Sequence, residues 1–164
     1  MKYDRWKKIA KEIVIGVLIL FVVSNIISYL RRPDLDSQHL PKIEAKLLDG
    51  SRFEISKAKP LLIYFWGSWC PICKHESPNI QYLSEKYEVL TIAVNSGDND
   101  KLTSYLKEHQ LHFKVLNDRE GEWAKRFKVE VFPTIFIYDA EGELRFTEVG
   151  YTTTAGLLAR LGML

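Results

Sequence analysis

Both cysteines of this 164-residue chain fall in one motif, Trp69-Cys70-Pro71-Ile72-Cys73. Two residues between thiols allow a small disulfide ring. The motif stands where an apolar run gives way to a helical stretch. At a helix N-terminus the first thiol meets the helix dipole and unpaired backbone N–H groups. Both favour the thiolate, which is the nucleophile. A second cysteine one turn further in is more covered and can attack a mixed disulfide made by the first. Attack, mixed disulfide and resolution make up thiol–disulfide exchange, which needs neither metal nor cofactor.

A metal site is the rival use of two thiols. One C-x-x-C supplies two ligands where structural zinc needs about four. His39, His109 and His112 lie far off in sequence, but His75 is close. A Cu(I) or weak zinc module using Cys70, Cys73 and His75 therefore stays open. Covalent c-type haem is excluded, because Lys74 stands where C-x-x-C-H needs histidine. The second signal is Pro133, at the start of an apolar run about 60 residues downstream of the motif. A proline there suits a cis peptide facing the thiols, although position alone leaves cis and trans open.

The elements that must position these residues follow from the pattern. Residues 61–66 (LLIYFW) are an unbroken apolar run, as in a strand buried on both faces. Residues 70–87 then read as a helix and 89–94 (VLTIAV) as a second buried strand. A helix is expected at 100–109, a short extra strand at 113–116 and another helical stretch at 120–127. Strand, turn and strand follow at 134–138, 140–143 and 144–149, and an amphipathic helix closes the chain at 153–164. Upstream, 43–48 and 52–55 around Asp49-Gly50 form a β-hairpin signal. The order predicts an α/β fold with a mixed central sheet flanked by helices.

The first 40 residues are of another kind. Residues 13–30 run 18 positions without a charge, roughly 27 Å as a helix, close to the thickness of a hydrocarbon core. Trp6, Tyr29 and Arg31-Arg32 flank the run, as interfacial anchors do. It is longer than the apolar region of a signal peptide, and Ser24-Asn25-Ile26 makes a poor cleavage site. Five basic residues precede it and two follow, so the N-terminus is expected in the cytoplasm and the rest outside. An exported chain meets an oxidising compartment, where disulfide chemistry is possible. The expected division is a cytoplasmic N-terminus at 1–12, a transmembrane anchor at 13–30, a tether at 31–40 and a catalytic domain at 41–164. The net charge of +2 combines +3 in residues 1–40 with −1 in the rest, so the domain has no basic excess to offer nucleic acid.

Phe65-Trp66-Gly67-Ser68-Trp69-Cys70-Pro71-Ile72-Cys73 together with Val131-Phe132-Pro133-Thr134 resembles the thioredoxin superfamily. The resemblance covers about residues 41–164. With the anchor, the N-terminal hairpin and the insert between Asn95 and Leu116, the chain looks like the membrane-tethered TlpA-like branch, nearest the suppressor-of-copper-sensitivity D (ScsD) type. This implies a thioredoxin-like fold with Cys70 as nucleophile, Cys73 as resolving cysteine and Pro133 as cis-proline. Trp69, Pro71, Ile72, Phe132 and Thr134 would border a bound substrate chain. Glu76 matches an acidic residue that tunes the thiols in some such reductases, since a nearby carboxylate raises a thiol pKa. An early-helix glutamate is also an ordinary dipole partner.

One departure is Tyr64, which stands where general thioredoxins carry a buried aspartate; a phenol is a poor base at neutral pH. Pro71-Ile72 also lacks the histidine that strong oxidases use. Reductase or isomerase work is therefore expected over primary oxidation. The resemblance implies a periplasmic thiol:disulfide oxidoreductase in the bacterial inner membrane. Its partners would be exported proteins and a membrane thiol reductase as electron donor, in a setting of copper or oxidative stress. Thioreduction of apocytochrome c is the alternative within the same chemistry.

Overall fold

In the computed structural model residues 2–56 and 59–164 are described, without the side chains of residues 2–5, 8 and 24. The charged groups of Lys2, Asp4, Arg5 and Lys8, which entered the topology argument, lie outside the described residues. The chain forms two compact units, residues 1–32 and 33–164. The first is one helix, α1 (Lys2–Leu30). Its segment Ile9–Leu30 is long and apolar enough to cross a membrane by length and composition.

The second unit is built around β1 (Leu61–Trp66), α2 (Pro71–Ser84), β2 (Glu88–Val94), α3 (Asn99–Glu108), β3 (Lys114–Asp118), α4 (Glu122–Arg126), β4 (Thr134–Tyr138), β5 (Leu144–Val149) and α5 (Thr154–Leu161). The sheet order is β3-β2-β1-β4-β5. β1, β2 and β3 run parallel, while β4 lies antiparallel to both β1 and β5. This is the mixed sheet expected from the sequence. The stretch expected as a short extra strand is a full member, β3, and forms one edge.

Strand alternation sorts the side chains into two layers. Leu62, Tyr64 and Trp66 of β1 face one core with Cys70, Cys73 and Ile80. Leu61, Ile63 and Phe65 face the other, with Phe127, Phe136 and Tyr138. Every β1 side chain is buried, which explains the unbroken apolar run.

The hairpin expected at 43–55 forms without continuous strands: Lys46 and Arg52 make an antiparallel bridge, the Leu47 N–H donates to the Ser51 carbonyl at 2.8 Å and the Phe53 N–H to the Ala45 carbonyl at 3.2 Å. The turn itself forms: Gly50 has φ +87°, and the Leu47 carbonyl accepts from its N–H at 2.9 Å. The flanks have other duties as well. Ile43, Leu47 and Phe53 enter a core, and the Leu48 N–H bonds to the Val115 carbonyl at the edge of β3. A lone two-stranded ribbon is marginal, and this packing supports the short paired stretch. In the stretch expected as a tether, 31–40, two residues pack on the domain. Leu35 and Leu40 join the second core, and the Leu40 N–H donates to the Gly142 carbonyl at 2.7 Å.

Candidate active site

The β1–α2 junction sets the site. Gly67 makes room for the loop: a Cβ there would meet the Trp69 ring at 2.6 Å. The Trp69 indole can therefore fold back, and its Nε1 donates to the Val94 carbonyl at 3.1 Å. The chain then enters α2 with Pro71 in the first turn, where a missing N–H costs nothing. Cys70 is the N-cap, and its Sγ accepts from the Cys73 N–H at 3.2 Å. The helix was expected to begin at residue 70; Cys70 instead caps it with an extended backbone.

Cys70 and Cys73 form a disulfide with their Cα atoms 5.3 Å apart. Cys73 is fully buried and Cys70 nearly so. When the bond is reduced, the helix N-terminus and the Cys73 N–H stand ready to stabilise a Cys70 thiolate. The Phe132–Pro133 peptide is cis, resolving the alternative the sequence left open. Trp69 and Phe132 meet edge to face at 5.4 Å, which joins the cysteine loop to the proline loop. Pro71, Ile72 and Trp69 are exposed around the disulfide. Thr134 differs: it is buried, and its hydroxyl donates to the Val131 carbonyl at 2.7 Å, so it stiffens the loop from within.

Glu76 lies one turn beyond Cys73 on the buried face of α2, and the 3-residue spacing makes the two neighbours on that face. It is wholly buried. Its Oε1 accepts from the Thr152 N–H at 2.6 Å, and its Oε2 has no partner among the described residues. Burial pushes the carboxyl up to about 8, against the opposing pull of the Thr152 amide and the Tyr64 hydroxyl. Tyr64 is also buried, and burial next to Glu76 pushes its phenol further above its ordinary range. The Tyr64 hydroxyl donates to the Cys73 carbonyl at 3.3 Å, and so does Ser77 Oγ at 2.8 Å. So Tyr64 is a donor to the backbone beside the cysteines, and the buried carboxyl of the site comes from α2.

His75 is exposed on α2. Among the described residues, no group of three or more His, Cys, Asp or Glu is placed to hold a metal. Thr152 carries no sequence signal, because its contribution is a backbone N–H that no side-chain motif announces. The Ser77 and Tyr64 hydroxyls at the Cys73 carbonyl were likewise not legible in the sequence.

A disulfide at a helix N-terminus, flanked by a cis-proline on a thioredoxin-like sheet, defines a thiol–disulfide oxidoreductase. The chain belongs to the AhpC/TSA family, whose model matches residues 37–147. It is 35% identical over 159 residues to a "thioredoxin-like protein" of Haemophilus influenzae, covering 94% of each chain. It is 31% identical over 120 residues to sporulation thiol-disulfide oxidoreductase A of Bacillus subtilis, covering 68% of this chain and 73% of that one. The crystal structure of StoA from Bacillus subtilis superposes with a TM-score of 0.64 at 25% identity, over 72% of this chain and 94% of that one.

Proposed function

We propose that the protein is a membrane-anchored thiol:disulfide oxidoreductase that reduces or isomerises disulfides of exported proteins on the periplasmic side of the inner membrane. Residues 13–30 serve as the anchor and the domain beyond it is catalytic. The observation that carries this reading is the Cys70–Cys73 disulfide at the start of α2 with the buried Glu76 carboxyl one turn behind it. In the reductive direction, the Cys70 thiolate attacks one sulfur of a substrate disulfide. A Cys70–substrate bond forms, and the other substrate sulfur leaves as a thiolate that takes up a proton. Cys73 passes its proton to Glu76 Oε2 and attacks Cys70 Sγ. The intramolecular disulfide closes and the second substrate sulfur leaves as a thiolate, which takes that proton back from Glu76 Oε2 and restores the carboxylate. The substrate gains two electrons and two protons; a membrane thiol reductase restores the dithiol. Phe132, beside the cis-proline, presents backbone to the substrate chain, and Trp69, Pro71 and Ile72 border it. The motif resemblance to the ScsD type supports a role under copper or oxidative stress.

Trapping tests this reading. Full-length Cys73→Ala expressed in its membrane is expected to accumulate mixed disulfides with exported proteins, and Cys70→Ala is expected to accumulate none. The reverse pattern would exchange the two roles. A reduction potential near or below about −250 mV fits reductive work, whereas one towards about −120 mV would make the protein an oxidase.

A further inference from the structure

The turn between β5 and α5 is tied to the site at three points. Gly150, at φ +89°, donates its N–H to the Pro133 carbonyl at 2.9 Å. Thr152 donates its N–H to Glu76 Oε1 at 2.6 Å. The third tie comes from Asn79, one turn beyond Glu76 on α2. Its Nδ2 lies 3.2 Å from the Tyr151 hydroxyl and 3.5 Å from the Thr152 carbonyl. Glu76 and Asn79 are three residues apart, so both address the same turn from one side of the helix. Asn79 holds the carbonyl of the residue whose N–H holds the carboxylate.

We infer that Asn79 is a positioning residue: it pins the turn at residues 150–152 to α2 and so keeps the Thr152 N–H on the Glu76 carboxylate. The inference deepens the proposed function and rests on its assignment of Glu76 as the proton partner of Cys73. The Thr152 N–H is the hydrogen bond that favours the ionised carboxyl against its burial. A turn released from Asn79 donates less well, and the neutral acid gains. Two groups act on Glu76 beside its burial: Tyr64 reaches it from β1 and the Thr152 amide from the turn, while on its own helix the titratable neighbour one turn back is Cys73 once reduced. From α3, Tyr105 acts on Tyr64. From α5, Arg160 is committed to Glu148 at 2.8 Å.

The test uses the full chain, oxidised, in detergent micelles, with carboxyl-labelled glutamate read by carbon NMR across pH. The Glu76 signal is identified by its loss in Glu76→Gln. In Asn79→Ala its midpoint is expected to rise by about half a pH unit or more, in keeping with a weakened hydrogen bond to a charged group. Thr152→Pro deletes the N–H outright and is expected to move it further. Asn79 is only half-buried, so its variant keeps the test sound even where Thr152→Pro fails to fold. A midpoint unmoved or lowered in Asn79→Ala overturns the inference. The pH profile of the reduced protein's reaction with a small disulfide is recorded in parallel. If the Glu76 midpoint rises while that profile stays fixed, the positioning role stands and the proton role of Glu76 falls.

Discussion

The two faces of the central sheet are packed to opposite ends. On the face away from the disulfide, Phe65, Phe127 and Phe136 form a triangle with ring centroids 5.1–5.8 Å apart. Among the described residues, its buried polar atom without a partner is the Tyr138 hydroxyl. On the disulfide face the layer also contains Glu76, Tyr64, Trp66, Thr91 and Tyr105. Glu76 Oε2, Trp66 Nε1, Thr91 Oγ1 and the Tyr105 hydroxyl all lack partners there. Thr91 shares that face because its neighbours Leu90 and Ile92 point to the other. An unpaired buried polar atom costs about 1–3 kcal/mol. The apolar face therefore supplies stability that the disulfide face gives up. What the disulfide face gains is a buried carboxyl, pushed up to about 8 by that burial, one turn from Cys73.

The contrast can be broken by truncating its apolar side. Phe127→Ala is expected to cost about 3–5 kcal/mol in denaturant unfolding of the full chain, through lost burial and the cavity left behind. The pH profile of thiol exchange is expected to stay as it was. A changed profile would show that the two faces are not separate in role.

Glu76→Gln addresses the other side. Because the folded carboxyl titrates near 8 and an unfolded one near 4.5, folding favours the protonated form. The associated stability is complete below pH 4.5 and is lost as pH rises through about 8. The variant is therefore expected to match the wild type at pH 4 and to exceed it by about 3 kcal/mol at pH 7. Equal unfolding midpoints at both pH values would mean the carboxyl titrates normally. The smallest effect is expected from Tyr64→Phe. It removes one hydrogen bond to the Cys73 carbonyl, at about 1 kcal/mol. It also removes a nearby hydroxyl whose polarity favours the Glu76 carboxylate, so the Glu76 titration should move up. A downward shift would mean the phenol acts against the carboxylate.

Much of the fold was legible because its signals are local. The LLIYFW and VLTIAV runs mark strands that must be buried on both faces. The helices expected at 100–109 and 153–164 form as α3 and α5, where Asp98 and Thr153 prove to be the caps. At 43–55 Asp-Gly marks a turn that forms, with paired flanks on either side of it. How far the pairing runs depends on what else can bury Ile43, Leu47 and Phe53. The segment before residue 41 looked like a tether because two apolar residues among polar ones carry no periodicity. Their docking is visible only once the β4–β5 hairpin supplies the carbonyl and the surface.

The same division runs through the site. By itself the sequence determined the redox pair, its place at a helix start, the tryptophan beside it and the position of the proline. These are set by spacing along one chain, within a few residues of each other or of a strand end. The resemblance pointed to Glu76, but only the fold buries its carboxyl and turns the Tyr64 hydroxyl onto the Cys73 carbonyl. The tertiary structure also decided that Thr152, 76 residues further on, would hold the carboxylate. Those outcomes depend on burial and on a backbone N–H brought across the fold. A residue's type fixes neither its dielectric surroundings nor the amide that will face it.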